Sequence, residues 1–315
     1  MKALWLEDGR LSVRDVPAPV PVGEALVRVR MSGICGTDLE LERGYYPYAG
    51  IIGHEFVGDI VKAPDPAWVG ARVVGDINAN CGACEACAAG RPTHCERRTV
   101  LGIAERNGAH AEYLTLPLAN LHRVPESVPD EAAVFTEPIA AAVEILQQVH
   151  IQPDDRVLLV GAGRLGQLVA QVLALTGADL AVIARHPHQQ ALLAARGIAT
   201  LNERDVAERY YDVVVEATGS PSGFELARRS VRPRGTFVLK STYRGETTLS
   251  LAPFVVDEVT VVGSRCGPFA PALRLLEQRL VDPVPLISRR YALADAVEAM
   301  EAAQSRDVLK VILEP

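Results

Sequence analysis

RVLLVGAGRLG, residues 156–166, joins a short apolar strand pattern to a Gly-x-Gly-x-x-Gly loop and opens into the helical pattern RLGQLVAQVLALTG (164–177). Strand, glycine loop and helix in that order form the turn that cradles a dinucleotide pyrophosphate. Gly161 permits the tight turn, Gly163 lets the backbone approach the phosphates, and Gly166 lets the helix pack on the strand. Arg164 and Leu165 open the helix, whose N-terminus attracts phosphate charge. A glycine turn of purely structural use is the alternative for the hexapeptide taken alone, and the strand–turn–helix setting argues against it. About 20 residues further on, an acid would grip the ribose 2′-hydroxyl of NAD. The chain has Ala184-Arg185-His186 there. A guanidinium at Arg185 suits a 2′-phosphate, so NADP is favoured over NAD.

Outward from this loop, strand and helix patterns alternate from about Pro138. The strands are LAVIA (180–184), DVVVEA (212–217), GTFVLK (235–240) and VTVVGS (259–264), with helices between them and PALRLLEQRL (271–280) closing the series. Continuous apolar strands alternating with helices predict an α/β domain, a doubly wound parallel sheet covered on both faces. Before Pro138 the texture is different. ALVRVR (25–30), FVGDIVK (56–62), ARVVGDI (71–77) and AEYLTL (111–116) are short runs broken by Gly and Pro, which predicts an antiparallel, barrel-like unit. The tail ends in a helix and a strand that could complete either unit.

With 315 residues the chain has room for about two domains. Its net charge of −7 gives no basic footprint for nucleic acid. The opening MKALWLEDGR has too short an apolar run for a signal peptide, and no stretch approaches the ~18 apolar residues of a membrane span. The expectation is a cytoplasmic protein whose thiols stay reduced, which favours metal over disulfides for its cysteines.

Four of the six cysteines lie in CGACEACAAGRPTHC, residues 81–95. Cys81, Cys84, Cys87 and Cys95 can close tetrahedrally around zinc and leave no position for substrate, a structural role. The opening C-x2-C-x2-C also occurs in bacterial ferredoxins, which keeps an iron–sulfur electron carrier as a remote alternative. Scattered elsewhere are GICGTD (33–38), GHE (53–55) and FTEP (135–138). A catalytic zinc takes three protein ligands and keeps one position open; Cys35, His54 and either Glu137 or Glu55 would fit.

Together, GICGTD, GHE, the cysteine quartet, the Glu-Pro pair at 137–138 and GAGRLG resemble, in that order, the zinc-dependent medium-chain dehydrogenase/reductase family. The resemblance spans essentially the whole chain. It implies a GroES-like β-barrel catalytic domain (1–137) with a structural-zinc lobe (about 78–97), a Rossmann domain (138–280) and a C-terminal return to the catalytic domain (281–315). It also implies two zinc ions per chain. Cys35, His54 and Glu137 would ligate the catalytic one, with Glu55 either ligating or lying just behind it. Asp38 would accept from the other nitrogen of His54, and Thr37 would take the substrate proton. The implied activity is hydride transfer between NAD(P) and an alcohol, polyol or sugar, by a homodimer or homotetramer without nucleic-acid or membrane partners. A relative that binds nucleotide and has lost its chemistry is the alternative.

The chain departs from the family pattern at Glu40, where many relatives carry a proton-relaying His. Glu40 could take over the relay, or the proton could leave through the cofactor ribose or water. Tyr45, Tyr46 and Phe135, close in sequence to the ligands, are candidates for the substrate pocket, with core packing as the alternative.

Overall fold

A computed structural model describes residues 1–242 and 249–315. The chain divides into two compact units, Met1–Glu137 together with Phe269–Pro315, and Pro138–Pro268.

The second unit is built on a six-stranded parallel sheet. Its spatial order is Ala199–Leu201, Asp179–Ile183, Arg156–Val160, Tyr211–Glu216, Val231–Leu239, Thr260–Gly263. The order in which successive strands are laid down therefore reverses at Arg156–Val160, and the crevice at such a reversal is where doubly wound sheets bind ligands. Val157, Leu158, Leu159 and Val160 are all buried, as a central strand covered on both faces requires. The helix Arg164–Ala174 covers it with Leu168, Val169, Val172 and Leu173. The edge strand Ala199–Leu201 was not anticipated, because three half-exposed residues carry too little pattern.

In the first unit, the strand Ala25–Ile34 pairs antiparallel with Glu55–Lys62, with Tyr113–Leu116 and with Lys310–Glu314. The C-terminal strand thus returns to the N-terminal sheet, with Val311 opposite Ile34 and Leu313 opposite Ser32. Leu4, Leu6, Ile34, Leu41, Met300, Val311 and Leu313 share one core, so both ends of the chain are needed to bury it. The strand Ile287–Ala292 was unforeseen, since its charged residues are mostly exposed. The sequence expectation also placed the helix at 271–280 in the dinucleotide unit. It runs Phe269–Glu277 and belongs to the first unit, where Phe269 stacks on His122 with ring centroids 5.2 Å apart. An amphipathic pattern shows that a face is buried but not what covers it.

Candidate metal and dinucleotide sites

Two adjacent strands bring the scattered ligand candidates together. Cys35 follows Ala25–Ile34 and caps the helix Gly36–Glu42; His54 precedes Glu55–Lys62, and Glu55 lies opposite Gly33 in the register. One possible ligand atom each from Cys35, His54 and Glu55 falls within 4.8 Å of the others. Gly33 has a spatial reason to be glycine: a Cβ there would stand 2.5 Å from Glu55 Oε2.

Each ligand candidate is held from behind. His54 Nδ1 lies 3.4 Å from Asp38 Oδ1, an electrostatic contact too long for a tight hydrogen bond, which turns Nε2 toward the cluster. The Cys35 backbone N–H donates to Asp38 Oδ2 at 2.8 Å. Glu55 Oε2 accepts from Lys310 Nζ at 2.5 Å, and Glu55 Oε1 is buried without a hydrogen-bond partner. Lys310 also donates to the Ile34 carbonyl at 3.4 Å and stands 5.3 Å from the centre of the Phe135 ring.

The electrostatics favour positive charge at the cluster. Burial alone would lower the His54 pKa, but the Asp38 carboxylate and the Cys35 thiolate outweigh it and hold it well above the ordinary value. Burial alone would raise the Asp38 pKa, but His54 and His110 outweigh it and keep the carboxyl well below its usual range. A thiolate, an imidazole and a carboxylate carrying an orphaned buried oxygen are the donor set that zinc takes.

The other expected residues divide. Glu137 is not in this cluster. It is half-buried in the first turn of the helix Thr136–Gln148, and the strand pairing that delivers Cys35 and Glu55 does not involve that turn. Cys35, His54 and Glu55 are thus the candidates the fold groups most tightly, and Glu137 remains a carboxylate ligand candidate beside Glu55. Thr37 Oγ1 lies 3.9 Å from Cys35 Sγ. Glu40 accepts from Arg43 at 2.8 Å one turn along its own helix. Tyr45 and Tyr46 are exposed, whereas Phe135 is core beneath Lys310. Lys310 and His110 escaped the sequence reading altogether. Neither belongs to a motif: strand pairing brings Lys310 to the site, and the backbone bonds of its loop to Ile52 and Leu4 bring His110.

None of the cysteines is in a disulfide. Cys81, Cys84, Cys87 and Cys95 each offer a sulfur within 4.8 Å of the others. Cys84 Sγ lies 3.5 Å from Cys87 Sγ and 3.7 Å from Cys95 Sγ. Four sulfurs at about 2.3 Å from a tetrahedral zinc would stand about 3.8 Å apart, so the quartet is close to the required size. Backbone N–H groups of Ala83 and Cys84 pull the Cys81 thiol down to about 6, which favours the thiolate a metal needs.

The glycine loop stands at the reversal of strand order. Gly161 has φ +110°, and a Cβ there would meet Thr218 Cγ2 at 2.8 Å and the Ala217 carbonyl oxygen at 2.9 Å. At Gly166 a Cβ would lie 2.1 Å from the Gly161 carbonyl oxygen, so the helix can approach the turn only without one. Gly163 caps the helix Arg164–Ala174 and faces open space, as a loop approached by phosphates must. Buried Glu216, at the end of the neighbouring strand, accepts from the Thr218 and Gly219 N–H groups at 2.6 and 3.1 Å and so fixes the opposite lip of the crevice. Arg185, exposed beyond the second strand, donates to the Glu203 carboxylate.

Residues 21–126 match the family model of the alcohol dehydrogenase GroES-like domain, and residues 165–278 that of the zinc-binding dehydrogenase. The chain is 31% identical to D-arabinitol dehydrogenase 1 of Uromyces fabae over 100% of its own length and 97% of that protein's. It is 32% identical to the L-threonine 3-dehydrogenase of Streptomyces coelicolor, over 100% and 99% of the two chains. A zinc-binding dehydrogenase of Sinorhizobium meliloti with NADP bound superposes with a TM-score of 0.92 at 29% identity, over 100% and 99% of the chains. An alcohol dehydrogenase of Escherichia coli CFT073 complexed with NADH gives 0.89 at 27%, with the same coverage. With its GroES-like and dinucleotide-binding units, its ligand cluster and these relatives, the chain belongs to the zinc-dependent medium-chain dehydrogenase family.

Proposed function

We propose that this protein interconverts a polyol or related secondary alcohol and its ketone with zinc and a nicotinamide cofactor, NADP in preference to NAD. The observation that carries the reading is the buried cluster of Cys35, His54 and Glu55 in a chain that also carries the dinucleotide loop at 161–166. Cys35 Sγ, His54 Nε2 and a carboxylate, Glu55 Oε1 or Glu137, would hold the catalytic zinc. When bound, zinc supplies Lewis acidity toward an alcohol or carbonyl oxygen, and the nicotinamide accepts or gives the hydride. Asp38 keeps the His54 proton on Nδ1, so that Nε2 presents its lone pair. The Thr37 hydroxyl, 3.9 Å from Cys35 Sγ, would take the alcohol proton and pass it outward. Glu40, already paired with Arg43, is the weaker relay.

The cysteine quartet holds a second, structural zinc in this reading. Arg185 would receive the 2′-phosphate, exchanging the single charge of Glu203 for a dianion. The relatives that act on arabinitol, sorbitol and threonine favour a substrate with neighbouring polar groups. A homodimer or homotetramer is supported by the open edge strand Thr260–Gly263 and by Val255 and Val256, which are 75% and 79% exposed beside it. Nicotinamide absorbance with NADP and then NAD, across a panel of pentitols, hexitols, threonine and simple alcohols, tests the function. Turnover of a polyol with NADP is expected. No turnover by zinc-replete protein anywhere on the panel would overturn it.

A further inference from the structure

His110 lies in none of the motifs, yet its side chain is fully buried behind the ligand cluster. Its backbone is pinned on both sides: its N–H donates to the Ile52 carbonyl at 3.0 Å, and its carbonyl accepts from Leu4 at 2.8 Å. On the ring, Nδ1 is 2.9 Å from Ser32 Oγ and Nε2 is 3.5 Å from Asp38 Oδ2. The ring also lies against Gly53, where φ is +102° and a Cβ would stand 2.6 Å from the imidazole. His110 therefore touches both things that aim His54: the carboxylate behind its ring and the residue before it in the chain.

We propose that His110 is a positioning residue of the metal site, fixing His54 through Asp38 and through the Gly53 backbone. The proposal rests on the reading that Cys35, His54 and Glu55 hold a metal. The proton assignments follow from the acceptors. Ionised Asp38 can only accept, so His54 Nδ1 and His110 Nε2 both present N–H groups to it. His110 Nδ1 is then an acceptor for the Ser32 hydroxyl, and with Nδ1–H aimed at Asp38 it is His54 Nε2 whose proton a metal would displace to take the lone pair. The chain Ser32–His110–Asp38–His54 thus sets a tautomer from a residue 22 positions before His54 in the sequence. Both Asp38–imidazole separations exceed the 2.7–2.9 Å of a tight charge-assisted bond. Asp38 is shared between two rings, and losing one ring frees it to turn.

The test uses the zinc-loaded full chain, titrated with a chelator while retained zinc and the unfolding temperature are measured. Cys35→Ala identifies the zinc held at this site. His110→Phe keeps a ring of similar shape and removes both nitrogens; His110→Gln restores a donor. His110→Phe is expected to release that zinc at roughly 10- to 100-fold lower chelator activity, while the quartet's zinc and the unfolding temperature stay near the parent's. His110→Gln should recover part of the loss. Ser32→Ala should shift release in the same direction by less and add nothing in the His110→Phe background. If His110→Phe folds and holds the zinc as tightly as the parent, the proposal is wrong. If it does not fold, Ser32→Ala decides, and unchanged retention there overturns it. Should Cys35→Ala lose no zinc, the underlying reading of the metal site fails instead.

Discussion

Lys310, on the last strand of the chain, places its ammonium 2.5 Å from Glu55 Oε2, and both side chains are at most 4% exposed. The pair joins the C-terminal strand to the ligand cluster through a buried charge contact. Removing one member of such a pair strands the other, at a cost of about 3–5 kcal/mol. Lys310→Met should therefore lower the unfolding temperature. The drop should be smaller in zinc-loaded protein, where the metal supplies an alternative counter-charge for Glu55. Calorimetry with and without zinc reads both. Equal drops in the two states would mean that Glu55 does not face the metal.

The first two loop glycines should fail differently. Gly161→Ala puts a side chain at φ +110° against Thr218 and the Ala217 carbonyl, so it should lose both stability and cofactor binding. Gly163→Ala meets nothing within 4 Å. It should unfold at the parent's temperature yet bind NADPH at least ~10-fold more weakly, because its methyl occupies the phosphate approach. Fluorescence titration of NADPH beside thermal unfolding separates the two. Undiminished NADPH binding by Gly163→Ala would move the pyrophosphate elsewhere.

These glycines, like the cysteine quartet, were legible because their chemistry is local: a turn of six residues, four sulfurs within fifteen. Cys35 and His54 were legible through short motifs, although only the pairing of Gly33 with Glu55 shows how they meet. Lys310 was not legible. It is 255 residues from Glu55 and reaches it because Val311 lies opposite Ile34. His110 was not legible either, because its partners, Ser32 and Asp38, come from a strand 78 residues away and the helix after it.

Arg185 and Glu203 are both substantially exposed, at 56% and 41%, so their mutual attraction is worth no more than about 1 kcal/mol. Glu203→Gln should then strengthen NADPH binding by up to ~5-fold and leave NADH binding nearly unchanged, while Arg185→Ser should weaken NADPH selectively. Titrations with both cofactors check this. Equal effects on NADH and NADPH would remove Arg185 from the 2′-phosphate site.

Asp212 accepts from Arg156 at 2.8 Å and from Arg232 at 2.5 Å, and chiefly the Arg156 contact holds its pKa well below the ordinary carboxylate value. A carboxyl depressed in the folded state stabilises fully above its unfolded pKa of about 3.9 and ceases to as pH falls through the folded value. Asp212→Asn should thus lower the urea midpoint at pH 7, and the gap from the parent should narrow as the pH drops below about 4. A gap that stays constant with pH would show that the ion pairs contribute nothing.

Zinc content per chain tests the central claim most directly. Protein purified without chelators should contain two zinc ions. Cys35→Ala should retain one and lose alcohol oxidation, and Cys84→Ala should also lose one, with a fall in unfolding temperature. Two zinc ions in folded Cys35→Ala, or an active enzyme without zinc at Cys35, His54 and Glu55, would contradict the account.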